Sequence, residues 1–550
     1  MSKRPRSYLS LCAGCRPDSI TLFPTRITPS PRSIRFNPSH QPRSHTSTKL
    51  CLNAYTPHLD RYLRKPQLNT VRRNSSRSGT DPNSFRSLER PRATPTLSLD
   101  RLENTIKTLI LDVADHIYTV KLRQTPNTAG NVEIPKPGVR FSGGWVRDKL
   151  RGSQSADIDV TVEGIPAYEF CVALRDFLRN RETLKKYLQM LPEGRHQRGP
   201  VSIHRIRVNM QSLEHGGNYV ANVFGKYVDI FNPRSRKQIN LTPPVEEELG
   251  TIEEDAYRRD ATINALFYNL RTSEVEDYTQ RGIEDIRNRV LRTPRDPNFT
   301  LMADPVRVLR FIRLAAELQY DIKDDVMQAM RDDEIKDALR FCVVGKHRKR
   351  HIMTELKKII RGRYPIASLS LIDQLGLYNT LFADDHEDVD VSRWSYAYRT
   401  VWELLHPSPL GDSSTEKRAN HIRNVLFRHS SDIHQVWVIA LLAPFISIPQ
   451  PSWKESSTAV RLPPRVVEVA QYTTSTGIWD LVVLGDAVQY YKKVIEIKSY
   501  VLENPNGQTD TDLYEFVRTA IGSWGPNWRA CVMTALLQEA IRVGSSQQGL

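Results

Sequence analysis

A chain of 550 residues, 39% apolar and 25% charged, is long enough for two or more cored domains and has the balance of an ordinary globular protein. No apolar run approaches the roughly 20 residues that span a bilayer, which argues against a membrane protein; the six cysteines (Cys12, Cys15, Cys51, Cys171, Cys342, Cys531) form no metal array, because the pair Cys12-x-x-Cys15 has no second pair. The net charge of +16 favours a polyanionic partner, yet residues 1–100 hold 18 Lys and Arg against 5 acids, a surplus of 13, so the other 450 residues carry only about +3 and basicity alone does not make the folded part a nucleic-acid binder.

From Met1 to about Pro95 the sequence is rich in Arg, Ser, Pro and Thr and poor in acids, as in a disordered or transit segment, and its prolines would interrupt any long helix. Folding is expected to begin where Asp100 can cap a helix that carries Leu102, Ile106, Leu109, Ile110 and Val113 at helical spacing. Residues 139–141 read as a short strand, Gly143-Gly144 as a tight turn and 145–150 as the start of a helix. A strand over 158–162 follows, whose alternation puts Asp157 and Asp159 on one face. Next come a helix over 167–177 and two strands, 201–208 and 226–231, flanking a polar stretch with Gly216-Gly217. After Arg258 the pattern turns helical, most clearly over 304–320, 352–360, 394–405, 436–442 and 528–543. The expected fold class is α+β: a leader (1–95), a mixed-sheet head (96–270), and an all-α neck (271–365) and body with tail (366–550).

The chemistry concentrates in three segments. Glycines in the Gly143-Gly144 turn let the backbone approach a phosphate, the following helix offers unpaired N–H groups to an anion, and Arg147 in its first turn adds charge. Asp157 and Asp159 bracket an apolar residue just after that turn. Mg²⁺ takes one or two carboxylates plus phosphate oxygens, and two such ions stabilise the attacking and leaving oxygens of an in-line displacement. Asp229, on the 226–231 strand, is either a third acid for the site or a hydrogen-bonded strand acid. In the third segment a carboxylate, Asp304, and a guanidinium, Arg307, stand three residues apart, on one face of the expected helix. One group only accepts and the other only donates. Cytosine and adenine both present an amino donor and a ring-nitrogen acceptor that fit this pair, whereas uracil and guanine put a carbonyl oxygen opposite Asp304. The alternative for an Asp-x-x-Arg is a surface ion pair.

Gly143-Gly144-x-x-Arg147-Asp148 with Asp157-x-Asp159, then Arg258-Arg259-Asp260-x-Thr262-x-Asn264-Ala265-Leu266, then Asp304-x-x-Arg307-x-x-Arg310-x-x-Arg313, resemble in order and spacing the motifs of class II tRNA nucleotidyltransferases, the CCA-adding enzymes. The layout is most similar to fungal members, over about residues 97–365. The resemblance implies template-independent addition of C, C and A to the 3′ end of tRNA from CTP and ATP, with pyrophosphate released. It implies Asp157 and Asp159 as catalytic Mg²⁺ ligands. Gly144, Arg147, Arg310 and Arg313 would hold the triphosphate, with Gly143 and Asp148 in the same nucleotide-binding motif. Arg259 and Asp260 would contact the ribose, Asn264 would lie near the phosphates, and Asp304 with Arg307 would select the base.

Two departures stand out: Ala303 occupies the place of an acid usual before Asp304, and Lys346 to His351 form a basic run where the family helix often carries Glu-Arg. That run meets the tRNA backbone, serves as a nuclear import signal, or is a solvated helix end. Residues 282–286 near Arg292 match the family's hinge motif, and 195–200 and 216–218 are candidates for a mobile loop. A poly(A) polymerase shares all three motifs; an enzyme adding only CC or only A, and a tRNA-binding protein without catalysis, are the other readings. The Arg- and Ser-rich leader points to mitochondria, with cytosolic and nuclear pools expected from import of a single product, since the next methionine, Met190, lies beyond Asp157 and Asp159.

Overall fold

The computed structural model of the chain describes residues 95–124, 135–155, 157–192, 207–208, 219–235, 250–382, 389–406, 413–448, 464–473, 478–503 and 510–543. The leader with Cys12, Cys15 and Cys51, most of the strand expected over 201–208, and both candidate mobile loops lie outside them.

Helix α1 (Arg101–Gln124) starts at the predicted cap: the Glu103 N–H donates to Asp100 Oδ1 and the Asp100 N–H to Glu103 Oε2, each at 2.8 Å. Its stripe of Ile106, Leu109, Ile110 and Val113 is fully buried. There follow β1 (Gly138–Ser142), α2 (Gly144–Leu150), β2 (Ile158–Glu163), α3 (Ala167–Arg179), α4 (Arg181–Met190), β3 (Arg207–Val208), β4 (Tyr219–Val223) and β5 (Lys226–Phe231). After α5 (Ile252–Arg258) and a 3-10 turn (Thr262–Asn264), β6 (Phe267–Asn269) and β7 (Val275–Glu276) complete a seven-stranded sheet in the order β3-β4-β5-β2-β1-β6-β7. Every pairing is antiparallel except β2 with β5, which makes the sheet mixed, as expected.

The expectation of helix from Arg258 onward fails at β6 and β7. Phe267–Asn269 is too short to show period-2 alternation, and it is strand because β1 offers it an open edge. The sheet's last strand thus lies just past residue 270. Strand β4 and helix α4 also had no clear signal, the latter being largely polar, with Tyr187 its one buried residue, and capped by Asn180, whose Oδ1 accepts the N–H groups of Glu182 and Thr183.

Beyond the sheet the order is α6 (Gly282–Asn288), β8 (Val290–Leu291), α7 (Pro297–Ala303), α8 (Arg307–Leu318), β9 (Asp321–Ile322), α9 (Asp324–Arg331), α10 (Asp333–Val344) and α11 (Lys346–Arg361), with β8 and β9 paired in a small parallel ladder. The helix expected over 304–320 begins only at Arg307. Pro305 disfavours helical geometry in the residue before it, and Asp304 is extended, at φ −150° and ψ 91°. Helix α8 buries Val308, Leu309, Phe311, Ile312 and Ala315 and so turns Arg307, Arg310 and Arg313, spaced by three, toward a different side. From Pro365 on, the regular elements among the described residues are helical and include Trp394–Leu405, Ser430–Ile446 and Trp528–Val543. Tyr378, Trp394 and Tyr398 form an aromatic nucleus there, with Trp394 Nε1 donating to the Ala440 carbonyl at 2.8 Å. Among the described residues no helix is long and apolar enough to cross a membrane.

Candidate active site

The edge between β1, β2 and the 3-10 turn gathers the predicted residues. Ser142 is opposite Asp159 in the β1/β2 register, so the glycine turn begins directly beyond that acid. Gly143 sits at φ 67° and ψ −133°, a region open essentially to glycine. A Cβ there would stand 2.9 Å from Arg259 Nη1 and 3.0 Å from Asp159 Oδ2, so the turn is squeezed between the acid and a guanidinium. Trp145 fixes the following helix. It is buried, packs edge-on against Phe141, and donates from Nε1 to Glu103 Oε1 at 3.2 Å; Lys149 closes on the other Glu103 oxygen at 2.6 Å.

The acids cluster as the alternation predicts. Asp159 lies within β2, Asp157 two residues earlier, and the parallel β2/β5 register places Asp229 beside Asp159. Burial, with Asp229 and Asp157 adding to it against the pull of Arg259 and Arg147, pushes the Asp159 carboxyl up to about 6. Burial and Asp157 raise Asp229 as well. Such a cluster is short of positive charge, which suits a divalent cation. Among the described residues no group of three or more His, Cys, Asp or Glu closes around one point, so substrate oxygens would have to complete the coordination of an ion held here.

A continuous polar chain joins the three segments. Asp148 pairs with Arg147 through two 2.9 Å bonds, from Nε and from Nη2. Arg147 Nη1 donates to Asn264 Oδ1 at 2.7 Å, and Asn264 Nδ2 donates to Asp260 Oδ1 at 3.0 Å. That oxygen also accepts the Ala261 N–H at 2.8 Å, while Asp260 Oδ2 faces Arg310 Nε at 3.1 Å without a well-directed hydrogen bond. Burial opposes the Asp260 charge, yet Arg310, Asn264, Arg307 and the Ala261 N–H together bring its carboxyl down to about 2. Arg259 is held by Asp255 Oδ2 (2.9 Å from Nη2) and by the Asn264 carbonyl (2.9 Å from Nη1), over the Phe267 ring.

The third segment divides. Arg310 joins the chain just described. Arg313 does not: its Nε is 2.6 Å from Glu355 Oε2 and its Nη1 2.8 Å from Glu317, tying α8 to α11. Asp304 and Arg307 adjoin, Nε to Oδ2 at 3.8 Å, but Arg307 is largely buried and donates to the carbonyls of Arg258 (2.8 Å) and Thr300 (3.3 Å). The hinge-like segment packs on the site: Asp285 accepts from Thr262 Oγ1 at 2.6 Å and pairs with Arg292 at 3.3 Å, and a Cβ on Gly282 would be 2.6 Å from the Thr262 carbonyl. Sequence reasoning missed Asp255, although its spacing of three and four to Arg258 and Arg259 on a helix was a readable signal. It also missed Arg348, whose Nη1 lies 3.0 Å from Asp304 Oδ1.

Residues 139–292 match the Poly A polymerase head domain. Nucleotidyltransferase lcsQ of Purpureocillium lilacinum is 29% identical over 466 residues, 81% of this chain and 72% of that protein. The mitochondrial CCA tRNA nucleotidyltransferases of Saccharomyces cerevisiae and Candida glabrata are 35% and 36% identical over 288 residues, 52% of this chain. The aligned region covers 48% and 50% of those two proteins, about half the length of these yeast relatives. Over residues 139–292 the chain is thus similar to the Poly A polymerase head domain, and over about half of its length to fungal CCA tRNA nucleotidyltransferases.

Proposed function

We propose that this chain adds C, C and A to the 3′ end of tRNA, taking CTP and ATP in turn and releasing pyrophosphate. The observation that carries the reading is the convergence of three distant segments: the acids Asp157, Asp159 and Asp229 beside the Gly143 turn, and the hydrogen-bonded and ion-paired run Arg147, Asn264, Asp260, Arg310, with Arg147 close enough to act on Asp159. Asp157 and Asp159 would hold Mg²⁺. When bound, the metal would supply the charge that stabilises the attacking and leaving oxygens of an in-line displacement at the α-phosphate. Arg147 is aimed by Asp148 and Asn264, and with Arg310 and the N–H groups of the Gly143-Gly144 turn it would bind the triphosphate. Asp260 stays ionised across the physiological range and, with its Oδ2 buried against Arg310, would support the ribose contact from the buried side. Arg259 would complete the ribose contact. Asp304 and Arg307 would select the base by offering an acceptor and a donor edge.

The helices beyond 365 would carry the tRNA, and the Arg- and Ser-rich leader, together with the mitochondrial relatives, supports delivery to mitochondria, with cytosolic and nuclear pools proposed beside it. Poly(A) polymerase chemistry is the second reading, because the matching head domain carries that description. The test of the chemistry is Asp157→Ala and Asp159→Ala. Each should abolish nucleotide addition and leave tRNA binding nearly intact, because the grip on the phosphate backbone is made elsewhere. Substantial activity in either variant would remove these acids from catalysis.

A further inference from the structure

We propose that Arg348 is a positioning residue for base selection: reaching over from α11, it holds the Asp304 carboxylate in the direction from which a nucleobase is read. The inference rests on the base-selecting role given above to Asp304. Asp304 occupies the extended break between α7 and α8, follows Ala303, and keeps 35% of its side chain exposed, so packing alone does not fix its carboxylate. Arg307 alone holds it weakly, at 3.8 Å, since that guanidinium spends Nη1 and Nη2 on the carbonyls of Thr300 and Arg258. Arg348 supplies the short contact, Nη1 to Oδ1 at 3.0 Å, on the opposite oxygen from Arg307. The two cations therefore bracket the carboxylate.

The base of Arg348 is itself fixed. Glu355 lies seven residues on, on the same face of α11, and joins Arg313 of α8 at 2.6 Å, so α11 is pinned to the helix that carries Arg307 and Arg310. A carboxylate has about four lone-pair positions, and two guanidinium contacts leave room for the amino group of cytosine or adenine. Within the basic run that departs from the family pattern, Arg348 thus has a specific partner in Asp304.

The experiment compares kcat/KM for CTP and UTP in the full chain, with tRNA lacking its terminal nucleotides, for wild type, Arg348→Ala, Arg348→Lys, Asp304→Ala and the Asp304→Ala/Arg348→Ala double variant. Because the pair is partly solvated, Arg348→Ala should lower the CTP preference by roughly 2- to 5-fold, chiefly through a raised KM for CTP. Arg348→Lys should recover most of the loss, and the double variant should discriminate no worse than Asp304→Ala. A wild-type preference in Arg348→Ala, or effects that multiply in the double variant, would overturn the inference while leaving Asp304 in place. A wild-type preference in Asp304→Ala would overturn the base-selecting reading and this inference with it.

Discussion

Asp260→Asn isolates the charge at the centre of the polar chain. The asparagine carbonyl can still accept from the Ala261 N–H and from Asn264 Nδ2, now at 2.8 and 3.0 Å, but nothing answers Arg310, whose Nε lies 3.1 Å from Oδ2. Removing one partner of a buried ion pair costs about 3–5 kcal/mol. Arg310 buries its Nε but keeps 43% of its side chain exposed, so water reaches the rest of the guanidinium and the cost here is smaller. The carboxyl itself sets a scale: it titrates at about 2 in the folded protein against an ordinary 3.8, and 1.36 kcal/mol per unit converts that to roughly 2 kcal/mol at pH 7. The sign follows from the lowered value. The stabilisation is complete above the unfolded pKa and drains away as pH falls toward the folded one, to about half by pH 3. Urea titrations of wild type and variant at pH 7 and pH 3 should give a stability gap near 2 kcal/mol that shrinks to about half. An equal gap at both pH values, or none at pH 7, would refute the account of Asp260 as a buried, ionised hub.

Gly143→Ala should silence nucleotide addition, because the new Cβ meets Arg259 Nη1 at 2.9 Å and Asp159 Oδ2 at 3.0 Å on a backbone suited to glycine, and thermal unfolding should report a loss of about 1–3 kcal/mol; an active, stable variant would show that the turn is not so constrained. Arg310→Ala should raise the KM for ATP and CTP at least tenfold. Arg313→Ala should instead leave KM nearly unchanged and cost about 1–3 kcal/mol of stability, read by urea titration, by depriving buried Glu355 of its 2.6 Å partner. Equal kinetic effects of the two arginine variants would contradict their separation in the structure. Asp304→Ala should weaken rejection of UTP and GTP more than it weakens triphosphate binding, which misincorporation assays with single nucleotides would measure; unchanged rejection would contradict the role.

Much of the site was legible because its geometry is local. The two-residue spacing of Asp157 and Asp159 needs only strand alternation to put both on one face, and Asp229 joined them through a register that no local pattern encodes. The capping box at Asp100 and Glu103 and the helical span 528–543 were likewise written in nearest neighbours. Where the sequence misled, longer range decided. Phe267–Asn269 is strand only because β1 has a free edge, and Arg313 faces Glu355 because α11 packs along α8. One error was local after all. Pro305 stands directly after Asp304, and its steric veto on helix was there to be read before Asp304 and Arg307 were placed on one helix face. Arg348 was hidden for another reason: a run of basic residues looks the same whether one member has a partner 44 residues away or none.

The most direct measurement of the central claim is the sequence of the product ends. The full chain would be incubated with tRNA ending at the base before CCA, with CTP and ATP alone and together, and the 3′ termini sequenced. The account predicts CC from CTP alone, no addition from ATP alone, and, with both, a terminus of CCA that extends no further. Runs of A on the unfinished tRNA, or tails that continue past the first A, would contradict it in favour of a poly(A) polymerase, and no addition under any condition would contradict catalysis altogether.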